Sequence, residues 1–312
     1  MKPKLFIFCL LIVLPSIIFA AEPQQTNTNV NITVTDNNSG IVQKWVDIGD
    51  AYVSYQIAGK GQPVILIHAY SVDCRMWDPQ FTELAKHYQV IRYDLRGYGK
   101  TDKPIEGLKY SHAEDLHKLM WFLGIPKAHL VGLSMGASVA VDFLALYPKE
   151  VLSVTVAAGG IRNFSVPIGA NAAEFIKKQG IEAYKKQWLE KVLSMCGPKK
   201  NKIRPQLQQM INDWSGWQVL HTELFQQINP PVAVQLKIKK PAVPVLILIG
   251  KNDSKKSIQS EENLAKILPK ASKKYLSATG HFSNMESPEE FNKALMDFLS
   301  SIDNKLVPKT GN

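Results

Sequence analysis

A serine held between two glycines, directly after an apolar run, is the feature that most constrains the fold of this chain. Residues 132–136 read Gly-Leu-Ser-Met-Gly, follow the apolar run Leu130–Leu133 and lead into a helical pattern that ends near Tyr147. On such a sharp turn from a strand to a helix, the serine hydroxyl is exposed at the C-terminal edge of a sheet, and the glycines relieve steric crowding. The five residues alone are a common pattern, but the strand before them and the helix after them make the signal specific. The sequence therefore predicts an exposed, functional hydroxyl at Ser134.

Short apolar runs alternate with helical patterns along most of the chain. Several of the runs are continuously apolar, as expected for strands that are buried on both faces of a parallel sheet. Strands are predicted at Ile41–Ile48, Tyr52–Ala58, Val64–His68, Gln89–Asp94, Leu130–Leu133, Leu152–Ala157, Val245–Ile249 and Lys274–Ser277. Capping boxes at 111–114 and 287–290 predict the starts of two helices, the second of which continues through Phe291–Leu299. The alternation predicts an α/β fold with a mostly parallel sheet flanked by helices.

Residues 162–240 interrupt this alternation, because they show helical spacing and no strand signal. Two sets of apolar residues recur at helical intervals: Ile181, Tyr184, Trp188 and Val192, then Leu207, Met210, Ile211 and Trp214. We therefore predict a helical cap inserted over 162–240. The α/β core would then comprise 41–161 and 241–302, followed by a tail over 303–312.

The N-terminal residues 1–20 have the pattern of a secretory signal peptide. Lys2 and Lys4 precede the apolar run Leu5–Leu14, and small residues follow at Ala20 and Ala21. The alternative is an uncleaved anchor, which is disfavoured because the run is shorter than the roughly 20 residues that span a bilayer. We expect an exported protein, periplasmic or secreted, in which a polar linker over 21–40 precedes the first domain.

The charge of the chain argues against some partners. Cleavage would remove two lysines and lower the formal net charge from +10 to +8. The remaining lysines are scattered, which indicates a solvated surface, with a weak attraction to anionic membrane surfaces as the alternative. No stripe of basic and aromatic residues predicts nucleic-acid binding. Two cysteines, Cys74 and Cys196, would survive processing, and whether they pair is left open.

An acid and a base follow two later strands, in positions where they could activate Ser134. Asp253 comes after Val245–Ile249, and His281 comes after Lys274–Ser277. A serine hydroxyl needs a base to become nucleophilic, and that base needs an acid to orient it. No cluster of His, Cys and carboxylate residues has metal-ligand spacing, and no glycine-rich phosphate loop occurs, so neither a metal nor another cofactor is expected.

In these motifs the chain resembles the α/β-hydrolase family, in the branch with a helical cap, over roughly residues 41–302. His68-Ala69-Tyr70 is similar to the family's oxyanion loop, and residues 94–99 to its Asp-X-Arg-Gly-X-Gly turn, in which Asp94 and Arg96 are expected to brace the backbone. Gly280-His281, together with residues 286–288, resembles the end of the family pattern.

The resemblance implies a role for each site residue. Ser134 would attack an acyl carbonyl, His281 would transfer the proton, and Asp253 would orient the imidazole. The backbone N–H groups of Met135 and Tyr70 would bind the oxyanion. Ala69 departs from the family, which usually has glycine there. If that position required a positive φ, its Cβ would cost about 1 kcal/mol or more.

The function that the resemblance implies is hydrolysis of a small-molecule carboxylic ester, including lactones. Two alternatives on the same fold stay open: a proline-type aminopeptidase and a hydrolase of carbon–carbon bonds. The peptidase needs cap carboxylates to hold a free amine, and five acids are available by type: Glu174, Glu182, Glu190, Asp213 and Glu223. A binding module without catalysis is a minor alternative. We also expect the lysine-rich cap to disfavour substrates that carry an ammonium group, and the scattered aromatic residues of the cap to favour short acyl chains.

Overall fold

The computed structural model describes residues 32–35, 42–161 and 170–306, and a sheet of nine strands forms the centre of this part. The strands are β1 Ile32–Thr35, β2 Val42–Asp47, β3 Tyr52–Ala58, β4 Pro63–Ile67, β5 Gln89–Tyr93, β6 Ala128–Leu133, β7 Val151–Ala157, β8 Val245–Gly250 and β9 Ala271–Leu276. Their order in the sheet is β1-β2-β3-β5-β4-β6-β7-β8-β9. Strands β1, β2 and β3 are antiparallel to their neighbours. The six strands β4–β9 are parallel to one another. The predicted fold class is confirmed.

Helices connect the strands and cover both faces of the sheet. They are α1 Asp78–Leu84, α2 His112–Phe122, α3 Met135–Leu146, α4 Ala170–Gln179, α5 Ile181–Met195, α6 Lys200–Asp213, α7 Trp217–Leu220, α8 Val232–Lys239, α9 Lys255–Ile267, α10 Ser283–Glu286 and α11 Pro288–Leu306. Short 3-10 turns occur at Cys74–Trp77, Pro148–Glu150 and Thr222–Leu224. The Ser111 hydroxyl accepts a hydrogen bond from the Glu114 N–H, as the predicted helix cap requires.

The apolar core lies on both faces of the parallel strands. Every residue of β6 and β8 is buried, which explains why their sequences are almost continuously apolar. One face packs around Phe143 of α3, and the other packs around Trp77 and Phe291. No helix among the described residues is long and apolar enough to cross a membrane.

Two predicted boundaries differ from the structure. The predicted linker 21–40 contains the strand β1, which pairs antiparallel with β2. All four β1 residues are β-branched. The preference of β-branched residues for strands outweighs the polar composition around them. At the other end, α11 continues to Leu306, beyond the predicted core limit of 302. The predicted signal peptide, 1–20, lies outside the described residues.

The inserted segment is helical in its described part, residues 170–239. Helix α5 packs against both α4 and α6, while α8 packs against α3 and α9, which flank the sheet. The Lys239 Nζ also donates a hydrogen bond to the Ala145 carbonyl oxygen at 2.6 Å. We therefore assign α8 to the core, so that the inserted cap ends before Val232 rather than at 240.

The turn after β5 is braced by its own side chains. Asp94 accepts hydrogen bonds from the N–H groups of Cys74 and Lys100, both at 2.9 Å. Arg96 is buried and pairs with Asp115 at 2.7 Å and with Asp50 at 3.0 Å. These contacts fit the bracing roles that the sequence suggested for Asp94 and Arg96.

We predict that Gly99→Ala destabilises this turn. Gly99 has a φ of +48°, and a Cβ there would overlap with the Asp94 carboxylate. The backbone strain and the disturbed hydrogen bonds together should lower the free energy of unfolding by about 2–4 kcal/mol. Urea unfolding measures this loss.

Gly107→Ala is the matched control, because Gly107 has a φ of +76° and no atom would lie within 4 Å of its Cβ. It should lose only the backbone term of about 1 kcal/mol. Equal losses in the two variants would contradict a bracing role for Asp94.

Candidate active site

Ser134 stands at the tight turn between β6 and α3. Its backbone has φ 55° and ψ −110°, which is strained for a residue with a side chain. The Ser134 N–H donates a hydrogen bond to the Ala157 carbonyl oxygen at 2.8 Å, which fixes the turn against β7. A Cβ at Gly132 would overlap with the Gly136 backbone, and one at Gly136 would overlap with the Ile67 carbonyl. Both positions therefore require glycine, because the backbone of the turn is in direct contact with itself and with β4.

The structure brings together the three side chains that the sequence singled out. The Nε2 of His281 lies 2.9 Å from the Oγ of Ser134, and its Nδ1 lies 2.9 and 3.1 Å from the two carboxylate oxygens of Asp253. The Asp253 side chain is fully buried, and that of His281 is mostly buried. With Nδ1–H donating to Asp253, Nε2 is free to accept the serine proton.

The parallel sheet explains why residues distant in sequence meet here. Ser134, Asp253 and His281 each follow the C-terminal end of a parallel strand, and these ends share one edge of the sheet. The two later loops are bonded to each other, since the Asn252 N–H donates to the Thr279 carbonyl oxygen at 2.9 Å. The acid and the base thus belong to one connected loop pair.

A buried glutamate ties the histidine loop to the cap. The Oε2 of Glu286 accepts the N–H of Gly197, just after α5, at 2.6 Å, and its Oε1 accepts the N–H of Gly280 at 3.0 Å. The His281 N–H donates to the Met195 carbonyl oxygen at 3.0 Å. Burial raises the pKa of Glu286. The sequence motif included Glu286, but its spacing gave no sign of this bridging contact.

The two residues whose N–H groups the sequence suggested as oxyanion donors, Tyr70 and Met135, both line the cavity that Ser134 lines. Met135 is the first residue of α3, where helix N–H groups lack partners within the helix. The strain considered for Ala69 is absent, because the positive φ in this loop is at Ser71, with 63°.

A buried histidine holds this loop in place. The Nε2 of His68 accepts the Leu95 N–H at 2.8 Å, and its Nδ1 donates to the Ala69 carbonyl oxygen at 2.7 Å. Burial lowers the pKa of His68, so the ring is neutral. His68 therefore joins the loop after β4 to the braced turn after β5.

A cavity of about 580 Å³ opens beside Ser134 and His281. One part of its lining is aromatic, with Tyr70, Tyr98, Tyr110 and Phe225. Another part is polar and comes from the start of α9: Ser254, Lys256, Ser257 and Ser260. Among the described residues that line the cavity, none is an aspartate or a glutamate. The site therefore combines an apolar surface with neutral and basic groups.

The aromatic residues of the cap have different positions. Phe225 lines the cavity, whereas Trp214 is buried and packs edge-on against Tyr70, with ring centroids 5.0 Å apart. Trp217 stacks on His221 instead, at 4.3 Å. Of Trp214, Trp217 and Phe225, Phe225 thus belongs to the cavity wall.

The charged residues of the cap do not line the cavity. Each of the five cap acids faces a basic side chain: Glu174 with Lys178, Glu182 with Lys185, Glu190 with Arg204, Asp213 with Arg75 and Glu223 with His221. The described lysines of the cap do not line the cavity either: Lys185 is buried beside Glu182, and Lys191 and Lys200 are exposed. The lysine that lines the cavity is instead Lys256 of the core, an exposed residue in the first turn of α9, which corrects the basis of the ammonium argument.

The two remaining cysteines are both buried and free. Burial raises the pKa of Cys74 and raises that of Cys196 to about 12, so both are thiols at neutral pH. Cys74, Asp73 and Asp94 lie close enough together to hold a metal ion. The two carboxylates, however, already accept hydrogen bonds from Arg75 and from backbone N–H groups.

Comparisons with known proteins agree with this architecture. A model of the alpha/beta hydrolase family matches residues 64–294. The chain is 27% identical over 278 residues to 2-hydroxy-6-oxo-6-(2'-aminophenyl)hexa-2,4-dienoic acid hydrolase of Metapseudomonas resinovorans, covering 85% of this chain and 93% of that protein. It is 27% identical over 243 residues to carboxylesterase YbfK of Bacillus subtilis strain 168, covering 76% and 79% of the two chains.

A solved structure also resembles the whole described fold. A thermophilic esterase from Thermogutta terrifontis, with malate bound, superposes with a TM-score of 0.71 at 24% identity. The match covers 87% of this chain and 98% of the esterase. At that identity the likeness concerns the fold.

We predict that Glu286→Ala impairs both the stability and the activity of the protein. It leaves two buried N–H groups without an acceptor, at about 1–3 kcal/mol each, and releases the His281 loop from the cap. We expect a lower Tm and a kcat reduced about tenfold or more, with a smaller change in KM. Thermal unfolding and ester-hydrolysis kinetics measure these effects.

Glu289→Ala serves as the control, since Glu289 is exposed in the first turn of α11. Glu286→Gln, which keeps an acceptor oxygen, should fall between the two. If Glu286→Ala behaves like Glu289→Ala, the bridge does not position His281.

Proposed function

The chain belongs to the alpha/beta hydrolase family and is a hydrolytic enzyme, and from this premise we propose that it cleaves carboxylic esters with a Ser134–His281–Asp253 triad. The observation that carries the proposal is the continuous chain of hydrogen-bond distances from the Ser134 hydroxyl to the buried Asp253 carboxylate, at the mouth of the cavity. The carboxylesterase relative supports the choice of ester substrates.

The proposed reaction proceeds through an acyl-enzyme. Ser134 Oγ attacks the acyl carbonyl while His281 Nε2 takes the serine proton, and the N–H groups of Tyr70 and Met135 stabilise the oxyanion. His281 then protonates the departing alcohol. In the second half, His281 removes a proton from water, which attacks the acyl carbon, and His281 then returns this proton to Ser134 Oγ as the carboxylic acid is released. The overall reaction is ester plus water to acid plus alcohol.

The lining of the cavity favours neutral or anionic substrates. An aminopeptidase needs a carboxylate in its cavity to bind the N-terminal ammonium group of the peptide substrate, because desolvating an unpaired charge is costly. None of the described lining residues supplies one, and Lys256 would repel the ammonium group. These contacts support the esterase over the aminopeptidase. The three intact, bonded triad side chains also argue against a binding module without catalysis.

Hydrolysis of a carbon–carbon bond is the second candidate, because one curated relative is named for such a substrate. The same triad serves both reactions. We favour esters, and include lactones, because the predicted export would remove the enzyme from cytoplasmic catabolism.

We propose that the enzyme acts outside the cytoplasm after cleavage near Ala20. The apolar run Leu5–Leu14 behind two lysines supports this proposal. The mature charge of +8 would give a weak attraction to anionic membrane surfaces. N-terminal sequencing of the native protein tests the cleavage, and a soluble cytoplasmic protein that begins at Met1 would contradict it.

We predict that Ser134→Ala abolishes both turnover and labelling by a fluorophosphonate probe, while the protein stays folded. The probe reacts only with an activated hydroxyl, and Ser134 is the serine within hydrogen-bond distance of His281. Mass spectrometry of the labelled protein identifies the modified residue.

Ser257→Ala is the matched control, because Ser257 lines the same cavity and should leave the labelling intact. Full labelling of the Ser134→Ala protein would show that another serine is the nucleophile and would overturn the assignment.

We predict the highest kcat/KM for an aryl butyrate, a lower value for an aryl palmitate and the lowest for a prolyl arylamide. A palmitoyl chain would have to pass the polar lining from α9, and the ammonium group of the arylamide would meet Lys256. All three substrates are compared under one buffer, with a vinylogous diketone added to test carbon–carbon cleavage.

A different substrate with the highest kcat/KM would indicate a different activity. The arylamide in first place would favour the peptidase, the palmitate a lipase-like cap, and the diketone the carbon–carbon hydrolase. Lys256→Gln should raise the relative rate on the arylamide, which tests the charge argument separately from chain length.

A further inference from the structure

Glu261 is a fully buried acid in the middle of the α9 helix that has no part in the proposed triad. Its carboxyl lies under the loop that follows β7, where Oε1 accepts the Ala158 N–H at 2.8 Å. The Gly159 N–H also faces this carboxyl. Residues 158–160 of that loop line the cavity. A side chain from α9 thus supports part of the cavity wall from behind.

The supported loop is in direct contact with the nucleophile. The Ala157 carbonyl accepts the Ser134 N–H at 2.8 Å, and a Cβ at Gly159 would lie 2.6 Å from the Ser134 carbonyl oxygen. Ala158 has a φ of 51°, which is unfavourable for a residue with a Cβ. Something outside the loop must therefore stabilise this conformation, and the hydrogen bond to Glu261 does so.

We propose that Glu261 is a positioning residue that holds the loop 157–160 against Ser134 and acts as a neutral carboxylic acid. The proposal rests on the proposed role of Ser134 as the nucleophile. Glu261 itself does not touch the reacting atoms, and its effect on catalysis is transmitted through Ala157 and Ala158.

The surroundings of Glu261 favour the protonated form. The charges that act on it are those of Asp253, from the end of β8, and of its neighbour Glu262, and both are acids. Burial, assisted by Asp253, outweighs the N–H groups of Ala158 and Gly159, which favour the ionised form, and raises the pKa of Glu261 to about 9. At neutral pH the carboxyl therefore keeps its proton while Oε1 still accepts the Ala158 N–H.

Basic groups on the elements packed against α9 are engaged elsewhere or exposed. Lys273 of β9 pairs with Glu262, which also accepts the neutral Tyr275 hydroxyl, and Lys239 of α8 donates to the Ala145 carbonyl. Lys274 of β9 and Lys237 of α8 are exposed. Within the described part of the chain, none of these cations offsets a negative charge on Glu261.

This arrangement has a consequence at high pH. Above about pH 9, Glu261 ionises beside Asp253 and beneath the cavity loop, which should disturb the loop and lower kcat. A glutamine has the same shape, keeps the acceptor oxygen and cannot ionise. Because the native state holds the Glu261 proton more tightly than the unfolded chain does, the stability of the wild type should also fall as the pH rises from about 5 to 9.

The test compares Glu261→Gln, Glu261→Ala and the control Glu262→Gln in the full-length mature protein. We measure kcat and KM on an aryl butyrate from pH 6 to 10, and Tm over pH 5 to 9. At pH 7.5, Glu261→Gln should keep at least about half of the wild-type kcat, and Glu261→Ala should lose about tenfold. Above pH 8.5 the kcat of the wild type and of Glu262→Gln should decline, while that of Glu261→Gln should not.

The Tm series tests the proposal without relying on catalysis. The Tm of Glu261→Gln minus that of the wild type should increase by several degrees between pH 5 and pH 9. A constant Tm difference, or a high-pH decline of kcat that Glu261→Gln shares, would overturn the neutral-acid role. Wild-type kcat in Glu261→Ala would overturn the positioning role. Failure of the proposed nucleophile is a separate result, because it appears as absent probe labelling at Ser134.

Discussion

The contact of the α3 N-terminus with the strands beneath it is the constraint on which the site depends. Gly136 lies so close to the Ile67 carbonyl that no side chain fits, and Gly132 is equally close to Gly136. This contact forces Ser134 into its strained conformation and lifts its hydroxyl above the sheet edge. Tyr70 of the loop after β4 and Met135 of α3 line the same cavity as this hydroxyl.

Buried acids organise the loops around this turn. Glu286 accepts N–H groups from both the cap and the histidine loop, and Glu261 accepts one from the loop after β7. Asp94 does the same for the turn after β5. Irregular loops at a buried edge cannot satisfy their N–H groups within a sheet or helix, so carboxyl oxygens take that role. The geometry of the site is thus set by hydrogen bonds to the backbone more than by ion pairs.

The strands and the triad residues could be predicted from the sequence because their signals are local. A buried parallel strand is continuously apolar, and the residue after its end is on the functional edge, so Asp253 and His281 were identifiable from chain order alone. The roles of Glu261 and Glu286 were not, because Glu261 is one of two adjacent acids in a helical pattern and the motif that contains Glu286 does not indicate its contact with the cap. Their partners, Ala158 and Gly197, are 103 and 89 residues away.

The same reasoning explains why the charge of the cap was a poor guide to the cavity. A helix that lies over a core exposes one face, and long lysine side chains favour that face because their charges stay hydrated. A lysine-rich cap therefore places most of its charge in solvent, while its apolar face supplies Phe225 to the cavity and Trp214 to the layer behind Tyr70. The basic group that does reach the cavity, Lys256, follows the triad acid in the core. The charge at the cavity therefore comes from the element that follows Asp253, and its apolar lining comes from both the cap and the core.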